Sequence, residues 1–257
     1  MCVARVRADT AAMSDPEADP PPRPRRGSTP VLLPRAARPR QTLLTAGALG
    51  LTAALAGRPA REVGLVAATV LVGQTLLGWD NDLVDEEVDR REGRTEKALV
   101  AGLDRGTLWF ALACAVLLVV PLAVSNGTRA GLSYLLSVLV AVLGNRVLRR
   151  GVWSWLPWAV SFALYPAFLS YGGWGGGPHG GPPTPAMVAT FALLGVVVHV
   201  LVAIPGLVGD HEAGRRHLPL RLAMVVGAPR LLMLDLVTLA LVIGLAGLVA
   251  ATVGLSA

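Results

Sequence analysis

The chain has 257 residues, 53% of them apolar and 16% charged, with a formal net charge of +6 and a mean hydropathy of +0.58. Soluble globular domains carry about 25% charged residues, so this balance excludes an ordinary soluble fold and points to an integral membrane protein with one multi-helix domain. The basic residues are spread over the connecting segments, which excludes a nucleic-acid face, and Cys2 and Cys114, the only cysteines, exclude a disulfide framework and a zinc site.

Residues 1–40 are rich in Pro, Arg, Asp and Ser and have no apolar core. They read as a disordered basic cytosolic tail, without the apolar stretch of a signal peptide, ahead of a membrane domain over 41–257. Seven membrane segments follow, at 42–57, 63–80, 106–124, 130–148, 155–171, 186–208 and 229–253. Each reaches or approaches the roughly 20 residues that a helix needs to cross about 30 Å of hydrocarbon. The expected fold is an all-α polytopic transmembrane bundle, and its 29 glycines suit close helix packing. GGWGGGPHGGPPTP, residues 172–185, is expected to be a loop.

Counting segments puts the ends of the second and sixth on the side of the N-terminus. Twenty Arg and Lys residues fall on that side and three (Arg58, Arg61 and Arg129) on the other, so that side is expected to face the cytosol across the cell membrane.

On that side lies GWDNDLVDEEVDRREGRTEKAL, residues 78–99, with Asp80, Asp82, Asp85, Glu86, Glu87 and Asp89 inside ten positions. If the second helix continues past Trp79, Asn81, Asp85 and Asp89 stack at i, i+4 and i+8, and Asp82 borders that face. Like charges at this spacing repel, and a hard divalent cation removes the penalty. Mg²⁺ takes one or two carboxylates together with phosphate oxygens. The plainer reading is an acidic loop that balances Arg90, Arg91 and Arg94, with Glu86 and Glu87 solvated.

Three stretches carry a family resemblance. NDLVDEEVDRREGRTEK, NRVLRRGVWSWLPWAVSF and HVLVAIPGLVGDHEAGRRHLPLRLA resemble the first acidic motif, the central basic segment and the second acidic motif of the UbiA-type intramembrane aromatic prenyltransferases. The resemblance covers roughly residues 35–235. It departs at Gly206, which replaces the first aspartate of the second motif, at Gly144, which replaces a tyrosine, and in helix number, with seven against the typical nine.

The resemblance implies transfer of an isoprenoid chain from a prenyl diphosphate to an aromatic or other lipophilic acceptor within the membrane lipid. Asn81, Asp82, Asp85, Asp89 and Asp210 would hold Mg²⁺, and Arg94, Lys97, Arg149, Arg150 and Arg215 would hold the diphosphate. Trp79, Trp155, Trp158 and Phe162 are candidates to face the allylic cation, although Trp153, Trp155 and Trp158 read first as an interfacial belt. His199 and His211 are candidate bases, and each also reads as a structural histidine near a helix end. Two rivals stay open. One is a membrane terpene cyclase that ionises the same diphosphate and closes the chain on itself. The other is a degenerate, non-catalytic relative that serves as a binding or scaffold protein.

Overall fold

The computed structural model describes residues 28–149, 151–172 and 180–254. Eleven α-helices follow in chain order among these residues: α1 (Thr29–Ala36), α2 (Pro39–Leu55), α3 (Ala60–Arg91), α4 (Arg105–Ser125), α5 (Thr128–Leu143), α6 (Leu156–Ala163), α7 (Tyr165–Ser170), α8 (Pro185–Ala203), α9 (Leu207–Glu212), α10 (Leu218–Val226) and α11 (Ala228–Thr252). A π turn (Gly144–Leu148) extends α5, and a 3-10 turn (Val152–Trp155) leads into α6. No strand occurs among the described residues.

Six stretches are long and apolar enough to cross a membrane: Ala60–Arg91, Arg105–Ser125, Thr128–Leu148, Val152–Ser170, Pro185–Glu212 and Ala228–Thr252. The first expected segment is now α2, 17 residues long. At 1.5 Å per residue that is about 26 Å, short of a full crossing. Along the outside, Phe110, Leu117, Val237 and Leu241 are exposed, as lipid-facing side chains require. Inside, Val66 and Val70 of α3 pack with Leu108 of α4, Tyr134 of α5 and Phe168 of α7.

The expected tail, residues 1–40, ends sooner than its composition suggests. Residues 1–27 lie outside the described residues, but Thr29–Ala36 is helical, with Leu32 and Ala36 buried. Pro30 at the helix start costs little, because its missing N–H would have no partner there. Trp79 Nε1 donates to Leu33 O at 2.9 Å and ties α1 to α3. Half of the expected loop at 172–185, residues 173–179, also lies outside the described residues.

Two packing relations position the site. The 32 residues of α3 span about 48 Å, well beyond the hydrocarbon thickness, so its acidic end has the length to extend past the apolar layer while Asp80, Asp82 and Asp89 stay buried within the bundle. α8 and α6 approach closely at Gly195, where an added Cβ would lie 2.4 Å from Trp158 O. That contact sets His199, one turn further along α8, against the start of α6.

Candidate active site

α3 continues past Trp79 to Arg91 and stops at Glu92–Gly93. Gly93 takes φ +65°, which reverses the chain, and Arg94 N then bonds Asp89 O at 2.9 Å. This is a helix-ending turn that only glycine adopts without strain. Arg94 and Lys97 are carried back along the acidic face.

The same device ends α9. Gly214 takes φ +66° and Arg215 N bonds Asp210 O at 2.9 Å. Asp89-x-x-x-Gly93-Arg94 and Asp210-x-x-x-Gly214-Arg215 are thus one turn used twice, each returning an arginine to its own aspartate. Arg94 Nη1 stands 3.5 Å from Asp89 and Arg215 Nη1 2.5 Å from Asp210. The two turns sit side by side, since a Cβ on Gly209 would be 3.3 Å from Arg94 Nη2.

The expected ladder of Asn81, Asp85 and Asp89 separates into two groups. Asn81 Nδ2 donates to Asp85 Oδ2 at 2.8 Å, and Arg149 pairs with Asp85 Oδ1. Asp89 instead joins Asp82: Lys97 Nζ lies 3.5 Å from Asp82 Oδ1 and 3.7 Å from Asp89 Oδ2. Helical geometry explains the regrouping. At about 100° per residue, seven positions fall about 20° short of two turns, whereas eight overshoot by about 80°.

Asp80, not expected at the site, is buried beneath this face and pairs with Arg146 through Oδ1. Glu86 and Glu87, expected to be solvated, make i,i+4 pairs with Arg90 and Arg91 at 2.7 and 2.9 Å. Arg150 lies outside the described residues.

Asp210 differs in kind. Beside Arg215 on Oδ1, His217 Nε2 contacts Oδ2 at 2.7 Å. His217 Nδ1 accepts the Leu220 N–H at 3.3 Å, so the neutral ring carries its proton on Nε2 and donates it to Asp210. A Cβ at Gly206 would lie 3.6 Å from Asp210 Oδ2, so an aspartate at 206 would stand beside Asp210. With glycine there, His217 supplies the partner.

Behind the charged end lies a cavity with about 910 Å³ of empty space, counted with its open mouth. Arg38, Asn81 and Arg149 line it toward the charged end, and Trp158, Phe162, Tyr165 and His199 line its aromatic wall. The rings form a continuous series: Trp158–His199 at 5.4 Å, Trp158–Phe162 at 6.3 Å and Phe162–Tyr165 at 5.1 Å. Trp158 therefore leaves the expected belt for the cavity, while Trp153 is exposed. His211 is also exposed.

The profile of the UbiA prenyltransferase family matches residues 42–257. The chain belongs to that family. No match was found among curated proteins or among solved structures. UbiA proteins are membrane prenyltransferases that use prenyl diphosphates, and the six long apolar helices of this member make it an integral membrane protein.

Arg38 and His217 are site residues that the linear sequence did not single out. Arg38 lies within electrostatic range of Asp82 and holds φ +52°, a left-handed conformation unusual for a side-chain-bearing residue and often found at functional sites. His217 stands within the matched second motif, but nothing in its spacing announces a bond to Asp210.

Among the described residues no three His, Cys, Asp or Glu side chains converge on one point. The carboxylates converge in pairs, and Asp82 and Asp89 flank a single cation, the Lys97 ammonium. Two oxygens from one helix around a cationic position suit Mg²⁺, which draws its remaining ligands from phosphate and water. Of the four buried side-chain atoms without a partner among the described residues, two belong to this charged end: Asp80 Oδ2 and Arg149 Nη2. Unspent donors and acceptors of this kind at a charged mouth fit an anionic ligand and its counter-ion.

Proposed function

We propose that this UbiA member catalyses Mg²⁺-dependent transfer of an isoprenoid chain from a prenyl diphosphate to an aromatic acceptor held in the cavity. The observation that carries the reading is the adjacency of the two Asp-x-x-x-Gly-Arg turns, together with an aromatic-walled cavity that reaches the same acidic helix through Asn81 and Arg149, the two partners of Asp85. Asn81, Asp82, Asp85 and Asp89, with Asp210 opposite, would hold the metal, which when bound neutralises charge on the departing diphosphate.

Arg149, with its unspent Nη2, holds diphosphate oxygens in bidentate fashion. Arg38, Arg94, Lys97 and Arg215 complete the clamp, and Arg150 follows Arg149 in sequence. Lys97 and Arg149 trade their carboxylate partners for phosphate as substrate arrives. The prenyl chain lies along Trp158, Phe162 and Tyr165, whose ring faces stabilise allylic positive charge and exclude water. The basic-residue bias assigns the motif end to the cytosol. A cysteine introduced at Glu87 should then react with a membrane-impermeant maleimide only from that side.

The test is incubation of the purified protein with geranyl, farnesyl and geranylgeranyl diphosphates, with Mg²⁺ or with EDTA, and with or without phenolic acceptors. Mg²⁺-dependent release of pyrophosphate together with a prenylated phenol is the expected result. No pyrophosphate from any donor, or equal release in EDTA, would refute it. A cyclic hydrocarbon formed without acceptor would replace transfer by cyclisation.

A further inference from the structure

We propose that His199 is the proton acceptor of the transfer step when the acceptor is an aromatic ring such as a phenol; this deepens, and rests on, the prenyl-transfer reading. The residues that line the cavity include arginines, amides, hydroxyls and aromatic rings, but no carboxylate and no lysine. His199 is therefore the one Brønsted base at neutral pH among the described cavity-lining residues. The carboxylates nearby lie at the charged end and are already paired, Asp80 with Arg146, Asp82 with Lys97 and Asp85 with Arg149.

The imidazole is held in a defined pose. Nε2 lies 3.0 Å from Ser154 Oγ, and Ser154 is itself 2% exposed and fixed from the other side by Leu218 N–H at 3.4 Å. Trp158 covers the ring at 5.4 Å. Nδ1 makes no hydrogen bond among the described residues. It is not a sealed atom either: the buried side-chain atoms without partners belong to Asp80, Arg149, Ser170 and Asp235. His199 lines the cavity, and its Nδ1 keeps an unused lone pair while Nε2 is committed to an orienting hydroxyl. That division of roles suits a general base.

The step balances as follows. The C–O bond of the prenyl diphosphate breaks and its electron pair leaves on the diphosphate oxygen. A π pair of the phenolic ring forms the new C–C bond to the prenyl carbon. The C–H bond at the attacked ring carbon then breaks, its pair restores the aromatic ring, and the proton passes to His199 Nδ1. The resulting imidazolium donates Nε2–H to Ser154 Oγ, which accepts it alongside Leu218 N–H. No oxidant or reductant is needed.

His199→Gln keeps an amide able to donate to Ser154 but removes the basicity. The experiment uses the full chain in detergent with geranylgeranyl diphosphate, Mg²⁺ and a set of simple phenols (phenol, hydroquinone, 1-naphthol), each also ring-deuterated. Prenylated phenol should fall about 100-fold in the variant. Pyrophosphate release should stay within about threefold, the cation being captured by water as a prenyl alcohol. Ring deuteration should slow product formation in the variant and not in the parent.

A parallel fall in both readouts would mark a structural role and overturn the proposal, as would a variant that prenylates like the parent. Pyrophosphate release by the parent without any prenylated phenol would overturn it and leave the diphosphate site standing. No release at all would overturn both. Should His199→Gln fail to fold, Ser154→Ala gives the same split at about 10-fold, since a positioning contact carries less than the base it orients.

Discussion

The two ends of the bundle spend their charges differently. At the end between α2 and α3, Arg58 donates to Leu169 O and to Gly172 O, the latter at 2.7 Å, and its other terminal nitrogen lies 3.7 Å from Glu62. Burial holds the Arg58 guanidinium below its ordinary value, and Glu62 partly offsets this. Nearby, Asn126 Nδ2 bonds Thr69 Oγ1 at 2.9 Å. Here the charged and amide side chains satisfy backbone and neighbours, and among the described residues the one unpartnered buried atom nearby is the uncharged Ser170 Oγ.

At the motif end the charges pair with one another. Asp80 Oδ2 and Arg149 Nη2 keep unspent capacity, and a cavity opens behind them. Saturated charge is architecture, and exchangeable charge is a binding site. Removing a residue from the first end should cost folding, while removing one from the second should cost turnover.

Asp85→Asn should break this comparison most sharply. Pyrophosphate release is expected to fall on the order of 10³-fold, because the variant loses the charge that draws both Asn81 and Arg149. A melting curve in detergent should barely move. Arg149→Ala should lower release about 100-fold, and Arg149→Lys should recover only part of it, since an ammonium cannot reproduce the forked contact.

His217→Ala should reduce turnover about 10-fold by freeing Asp210 Oδ2, with the steepest loss at low Mg²⁺, measured by titrating the metal. Arg58→Ala should leave turnover per folded molecule unchanged but destabilise by about 2 kcal/mol, because two carbonyls lose a buried donor. It is read by thermal unfolding. Glu87→Gln should change neither readout, as its pair with Arg91 is exposed on both sides (75% and 64%). If Glu87→Gln lowers turnover, or Arg58→Ala does so at unchanged stability, the two ends are not distinct in the way described.

Membrane class, six of the seven expected membrane segments, the acidic end of α3 and both motifs were legible in the chain itself, because hydropathy and i,i+4 spacing are local properties that need only one helix to express them. Even there the period mattered. Asp89 belongs with Asp82, seven residues away, and that follows from helical rotation alone. Helix α1 was hidden by its two prolines and Arg35, since composition does not show that Leu32 and Ala36 meet the core.

What the tertiary fold alone decided were the contacts between distant segments: Arg149 on Asp85, Arg146 on Asp80, His217 on Asp210, and the meeting of Arg94 with Gly209. Nor did the chain announce that Trp158 and His199 would face one cavity while Trp153 and His211 would not. The physical reason is that periodicity fixes which face of a helix a side chain occupies. What that face meets depends on how close neighbouring helices come, and that is set at points such as Gly195 by the absence of a side chain on one helix and the backbone of another.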